Sequence, residues 1–573
     1  MSAFTVFPSA HIIGIVLILI YLFRQFFLPK LLPGIPHNKH VTSRLFGDLS
    51  EMLAYAKEHG EYFTWLAQQN RRLESPVVQV FIRPFQKPWV LLADYRESRD
   101  IMTRRTKEFD RSRFNGEILG GLLPDAHPHM RSQSAEFKRN KSLIDNLMTS
   151  KFLNEVESHH IYACISTMVK LWRTKMKIGQ SRPFPANSDI FNGTLDAAFA
   201  STFGLDEKDS STSKQLNLLL SQTDSIRLPA SVNDPARFPQ ASRPQDFEAI
   251  LTLTDLNDIT IKFPIPRLAF WVISKTRRFC RALRLKEDLI ERGINAAEER
   301  LQTGQKTNRS AIDDILYHEQ KVAEKEHRSP DYYSRHIRDE IFAFIIAGHD
   351  TTAATMSWGV KYLSDNTQAQ NRLRGELHKA YSQAVSEDRE PSVAEITGTP
   401  IAYLDACLEE IIRVSVVGGG VVRQALVDTQ LLGFNIPKGT EVFCVPNGPG
   451  IFTPPIKVDE EQRSRTARYG KSPKIREWSV DDMDEFQPER WLRKDESSGE
   501  WIYDSRAGPT LSFGLGPRAC FGRAMAYLEL RIMVVLFLWN FVLESCGQEL
   551  SSYDTTQRLS RQPRQCYIKL SPA

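Results

Sequence analysis

Between Leu511 and Gly522 a single cysteine, Cys520, stands in a turn framed by glycines, directly ahead of an apolar run from Ala524 to Trp539 that reads as a helix. Few features restrict a chain more. Gly516 and Gly522 permit backbone shapes and close approach that a side chain forbids, so the cysteine can point out of a tight loop toward a flat group. A thiolate at a helix N-terminus is stabilised by the helix dipole and by free backbone N–H groups, which also tune the electron density it gives to a metal. The arrangement suits a thiolate ligand to haem iron, with Arg518 as a nearby cation for a propionate. An inert thiol buried in a glycine-rich turn is the other reading of these residues alone.

Upstream, Ser334 to Leu363 carries a helical apolar rhythm interrupted by Ala347-Gly348-His349-Asp350-Thr351-Thr352. Glycine costs about 1 kcal/mol against alanine inside a helix, and threonine can bond back to the preceding turn. A kink or an opened hydrogen bond is the expected result, presenting a hydroxyl to a ligand. A Thr-capped break between two helices is the alternative. Further on, Glu410 and Arg413 sit three residues apart on one helix face, the spacing of a side-chain ion pair.

Phe513, Gly516, Arg518, Cys520 and Gly522, in the pattern Phe-x-x-Gly-x-Arg-x-Cys-x-Gly, resemble the signature of the cytochrome P450 family. The helix motif resembles that family's oxygen-activation segment, with Asp350 and Thr351 as the acid and alcohol that deliver protons for dioxygen cleavage. Glu410 and Arg413, together with Arg490 in Phe486-Gln487-Pro488-Glu489-Arg490-Trp491, resemble its locked charge cluster. The order of these motifs along the chain also agrees. The resemblance implies a mainly α fold with small β-sheets, preceded by one transmembrane helix, and a haem b held by Cys520 with Phe513 and Arg518 beside it. It places Ala343, Ala347, Val417 and Gly418 along the substrate. The N-terminal half departs from the family: where Trp-x-x-x-Arg commonly meets the propionates, this chain has Phe137-Lys138-Arg139-Asn140-Lys141. Lys141 supplies charge without a bidentate fork, so anchoring shifts toward Arg423, Arg518 or Arg139. A solvated basic helix is the bland reading of that segment.

At the other end, Ala3 to Phe23 holds no charged side chain apart from His11, and about 20 such residues can span a bilayer. Arg24 and Lys30 follow at once, which sets the remainder on the cytosolic side. The expected layout is an anchor over residues 1–30, a hinge at Pro33 and Pro36, and one catalytic domain over 31–573, held at the endoplasmic reticulum membrane. Seven cysteines without Cys-x-x-Cys spacing favour neither zinc nor a disulfide framework, and a net charge of +5 gives no reason to expect nucleic acid. Phe263 to Trp271 reads either as a second membrane contact or as a buried core segment. The polar stretch 454–484 suggests no function.

The resemblance implies a haem-thiolate monooxygenase. NADPH would supply electrons through a reductase, with cytochrome b5 as a possible second donor. Arg518 and Arg523 flank the cysteine loop where an acidic flavoprotein donor would dock. The substrate would be a small apolar molecule such as a terpenoid or another fungal secondary metabolite. A same-fold isomerase or dehydrase without oxygen, and a non-catalytic haem sensor, are the competing readings.

Overall fold

In a computed structural model of the protein the described residues are 13–18, 21, 28–304, 310–468 and 478–573. Most of the expected anchor lies outside them, and no helix among the described residues is long and apolar enough to cross a membrane. The chain separates into two compact units, Met1–Asp110 with Val421–Pro473, and Arg111–Gly420 with Lys474–Ala573.

The first unit is built on a five-stranded sheet. Its strands are β1 (Val77–Val80), β2 (Trp89–Leu92), β3 (Phe109–Arg111), β4 (Val421–Ala425) and β5 (Glu441–Cys444), in the order β1-β2-β5-β4-β3. β-Branched and aromatic residues suit a pleated surface, and these strands are almost wholly buried. Parallel pairing of β2 with β5 sets Leu91 opposite Phe443, and antiparallel pairing of β4 with β5 sets Val421 opposite Cys444. Helix α1 (Tyr95–Thr103) starts at Asp94, whose carboxylate accepts the Glu97 N–H at 2.8 Å. Residues 460–467, within the polar stretch that the sequence leaves without a function, close over this helix. Arg463 donates to both oxygens of Asp94 at 2.7 and 2.9 Å, and the Ser464 and Thr466 hydroxyls each donate to Asp100 at 2.7 Å.

The second unit is mainly helical. Its principal elements are α2 (Ala135–Ile144), α3 (Ser158–Gly179), α4 (Asn187–Phe203), α5 (Gln245–Lys262), α6 (Pro266–Ile273), α7 (Arg335–Asp365), α8 (Ala402–Ser415) and α9 (Arg523–Asn540), followed by the hairpin β6 (Thr555–Gln557) and β7 (Arg561–Pro563). The centre is α7, which packs against α4, α8 and α9. The last of these is apolar on nearly every side and is accordingly buried, with Phe537 4.5 Å from the Trp172 ring of α3.

The expected interruption of α7 is not there: the helix runs unbroken for 31 residues. Packing from neighbouring helices offsets the local cost of Gly348. The hydroxyls meanwhile satisfy the helix rather than open it, Thr351 donating to the Ala347 carbonyl and Thr355 to that of Thr351, each at 2.8 Å.

Candidate active site

The cysteine loop is shaped by its own backbone. Gly514 and Gly516 take left-handed φ values of 62° and 71°, and the Cys520 N–H donates to the Phe513 carbonyl at 2.7 Å. Gly522 behaves differently from the reading above: its φ is an ordinary −79° where it caps α9. Its value is space, since a Cβ there would meet nothing within 4 Å. The Ser512 hydroxyl donates to the Ile412 carbonyl at 3.2 Å, tying the loop to α8.

Cys520 is solvent-accessible although protein mass surrounds it closely enough to raise its thiol pKa. A side chain that is both enclosed and reachable lines an internal space. Burial is the main cause of the shift, and the Gly522 N–H with the cations Arg111 and Arg523 opposes it. Such a thiol stays protonated until a metal displaces the proton.

Across from the loop, α7 bares one small-residue face. Ala347 is exposed and Gly348 and Thr351 are half-buried in a helix otherwise largely buried. A Cβ on Gly348 would lie 3.5 Å from Met525 Cε of α9, and one on Gly418, also exposed, 3.7 Å from the Ser512 carbonyl oxygen. These approaches bring the α7 face, the glycine turn after α8 and the cysteine loop together. Of the expected substrate-lining residues, Ala347 and Gly418 are thus accessible. Ala343 and Val417 are buried instead, Ala343 in an apolar cluster and Val417 against Trp358.

Asp350 points away from the face that Thr351 shares with Ala347. It is 5 % exposed, and its Oδ1 accepts a hydrogen bond from Gln562 Nε2 at 3.4 Å. Burial pushes its carboxyl up, against His349, Ser560 and Arg558, and burial likewise pushes the His349 imidazole down.

The cations divide. Arg518 is buried, not a docking cation: it donates to the His127 and Pro128 carbonyls at 3.3 and 3.1 Å and lies 4.0 Å over the Phe137 ring. Arg523 is the exposed member of the pair and stands 5.7 Å over the Phe513 ring. Lys141 reaches outward to Asp145 at 2.5 Å, with its ammonium 5.5 Å over the Phe521 ring beside Cys520. In the first unit Arg423 is 2 % exposed, donates through Nη1 to the Val422 carbonyl at 3.2 Å, and leaves Nη2 without a hydrogen-bond partner among the described residues. A buried guanidinium with an unused donor calls for an anion.

Glu410 is the hub of the charge cluster. Its two oxygens accept from Arg413 Nε and Nη2 at 2.8 and 2.7 Å, Arg490 Nε at 3.0 Å, the Gln487 N–H at 2.8 Å and the indole of Trp491 at 2.8 Å. Arg413 goes on to the carbonyls of Met483 and Glu485. The cluster welds α8 to the segment after residue 478, and with it the floor on which the cysteine loop rests.

His127 and Glu340 escaped the sequence reading. Glu340 of α7 accepts the His127 N–H at 2.6 Å, the His127 ring Nδ1 lies 2.7 Å from its other oxygen, and Asn140 of α2 donates to it at 2.9 Å. The pair His127-Pro128-His129 was a visible signal; its partner more than 200 residues away was not.

The residues of the second unit fit a haem: a reachable thiol, bare space at Gly522 and small residues facing it. A model of the cytochrome P450 family matches residues 51–448 and 477–570. The chain belongs to the cytochrome P450 family. That membership implies a haem-thiolate iron. The chain is 35% identical to a cytochrome P450 monooxygenase of Fusarium sporotrichioides, over 96% of this chain and 97% of the relative. It is 33% identical to one of Pestalotiopsis microspora (99% and 98%) and 31% identical to one of Penicillium crustosum (96% and 94%). This P450 is thus of the fungal monooxygenase kind. The family pattern omits 449–476, which contains the Arg463 closure over α1, whereas those relatives align along nearly the whole chain.

Proposed function

We propose that this P450 oxidises a small apolar molecule, a terpenoid or another secondary metabolite, in the space between Cys520 and the Ala347–Thr351 face of α7. The observation that carries the reading is the reachable, enclosed Cys520 ahead of α9, whose Met525 lies against Gly348 on that face. Haem, held by Cys520, supplies the iron chemistry that activates dioxygen, with electrons from NADPH through a reductase and cytochrome b5 as a second donor. Arg518 is the candidate for its carboxylates, with Lys141 secondary because Asp145 already engages it. The chain's own residues do the rest. Small side chains at Ala347 and Gly418 leave room for substrate, Thr351 offers the oxygen of a hydroxyl that donates to the Ala347 carbonyl, and Asp350 is the proton source behind it.

Thr351→Ala removes the hydroxyl without disturbing a buried contact. It should leave substrate binding within about twofold and divert most electrons to hydrogen peroxide, lowering coupling of NADPH consumption to product by about tenfold. Coupling equal to the wild type would remove Thr351 from proton delivery. Dependence of product on both NADPH and oxygen separates a monooxygenase from an isomerase.

We place the protein at the endoplasmic reticulum membrane, catalytic domain toward the cytosol. Supporting this, Phe263, Ile265, Leu268, Trp271 and Val272 are 44–61 % exposed around α6, flanked by exposed Lys262, Arg267, Lys275, Arg277 and Arg278. Apolar side chains rimmed by cations suit the interface of an anionic bilayer. Truncation before Leu31 should free part of the protein from membranes with haem binding intact. Adding Phe263→Ser and Trp271→Ser should release most of the remainder, since each such side chain contributes about 1–3 kcal/mol of partitioning. Vesicle binding that the double substitution leaves unchanged would rule out α6 as a contact.

A further inference from the structure

Asp350 meets the C-terminal hairpin, an element carrying none of the sequence motifs. Side chains on a strand alternate between its faces. On one face of β7, Arg561 locks the hairpin in place: its N–H donates to the Val417 carbonyl at 3.0 Å, its guanidinium to the Ser415 carbonyl at 2.9 Å, and its own carbonyl accepts the Trp358 indole at 3.2 Å. The next residue, Gln562, therefore faces the other way, into α7. Its Nε2 is shared between Asp350 Oδ1 at 3.4 Å and Ser560 Oγ at 3.1 Å, and the Ser560 hydroxyl is itself hydrogen-bonded to the Asp350 carboxyl. Ser560 is 1 % exposed, yet two residues back Arg558 stands in solvent, its N–H bonded to the Ser560 carbonyl at 2.9 Å. Three residues therefore span the distance from water to a buried acid.

We propose that the β6–β7 hairpin is the proton inlet of Asp350, with Gln562 as the positioning residue that holds the carboxyl and Ser560 as the hydroxyl that relays to it. The inference rests on Asp350 as the proton source. In the relay, a hydronium at the hairpin tip gives its proton to Ser560 Oγ while the Ser560 proton passes to the Asp350 carboxylate, so water and a neutral carboxylic acid result. The titratable and charged groups around the inlet are His349 on α7, Arg558 on the hairpin, and Asp255 and Asp258 on α5, the latter paired with Lys262. Arg558 lies 3.7 Å from Asp255, keeping the tip bridged to α5.

The test is hydrogen–deuterium exchange of the Asp350 carboxyl, followed by infrared spectroscopy in the ferric protein after transfer to D2O. Asp350→Asn assigns the protonated-carboxyl C=O band by removing it. Ser560→Ala and Gln562→Leu should each slow the isotope shift of that band by about tenfold or more, the loss expected for one hydrogen bond to a charged group. Ser560→Thr, which keeps the hydroxyl, should exchange as the wild type does. Wild-type exchange rates in Ser560→Ala and Gln562→Leu, or no band lost in Asp350→Asn, would overturn the inlet. Coupling of NADPH to product is measured in the same variants. Slowed exchange with undiminished coupling would uphold the inlet while refuting Asp350 as the proton source.

Discussion

Replacing Cys520 with serine should abolish the thiolate-type, red-shifted band of the reduced carbon-monoxide spectrum and reduce turnover to background, while the protein stays folded. Both halves follow from the loop. The hydrogen bonds that shape it are backbone ones, Cys520 N–H to Phe513 and Ala519 N–H to Gly516, so removing sulfur leaves them standing. No core contact is lost either, because the thiol faces accessible space. A serine hydroxyl is a hard, weakly acidic donor and does not replace a thiolate on iron. Cys407 and Cys566 are no substitute: burial pushes the Cys566 thiol up to about 12 and Cys407 well up, and the Cys566 thiol is already engaged by the Ser357 carbonyl of α7. The measurement is the carbon-monoxide difference spectrum of purified Cys520→Ser beside its far-ultraviolet circular dichroism. A surviving red-shifted band would refute Cys520 as the ligand.

Glu410→Gln should be nearly as damaging, by unfolding rather than by chemistry. One carboxylate accepts five hydrogen bonds, three of them from two guanidinium groups. Arg413 and Arg490 are 1 % and 8 % exposed, so neither can turn to water for compensation. An amide keeps one acceptor oxygen and sets an NH2 against donors, leaving buried cations without a counter-charge. Breaking a buried pair in this way costs about 3–5 kcal/mol. Against a total stability of about 5–15 kcal/mol, that is enough to deplete folded protein at growth temperature. Soluble yield and thermal melting of haem-loaded Glu410→Gln read the effect. A melting temperature within about 2 °C of the wild type would show that the cluster is not a structural keystone.

Local chemistry made part of this legible. The glycine turn with its cysteine, the acid–alcohol pair on an apolar helix and the Glu-x-x-Arg spacing each lie within a dozen residues, where φ/ψ freedom and helical periodicity are properties of the residues themselves. The α9 run was legible for the same reason. The interruption of α7 was misread because Gly348 is unfavourable only when a helix stands alone; packing from α4, α8 and α9 overrides a cost of about 1 kcal/mol. Arg518 looked like a surface cation, since a linear sequence does not reveal the Phe137 ring and the two carbonyls that enclose it. The apolar tract around α6 could be core or surface until the fold left its side chains uncovered.

By itself, the sequence determined the family, and it marked a glycine-framed cysteine and an apolar helix bearing an acid–alcohol pair, because those depend on residue type at fixed short spacing. Tertiary structure alone decided which cations are buried and which exposed, that residues 460–467 close over α1, and that Asp350 meets Gln562 of the C-terminal hairpin. Those contacts join residues roughly 200 to 390 positions apart. Burial, which sets the strength of a charge and the acidity of a carboxyl, is a property of the neighbours the fold supplies, and no local pattern encodes it.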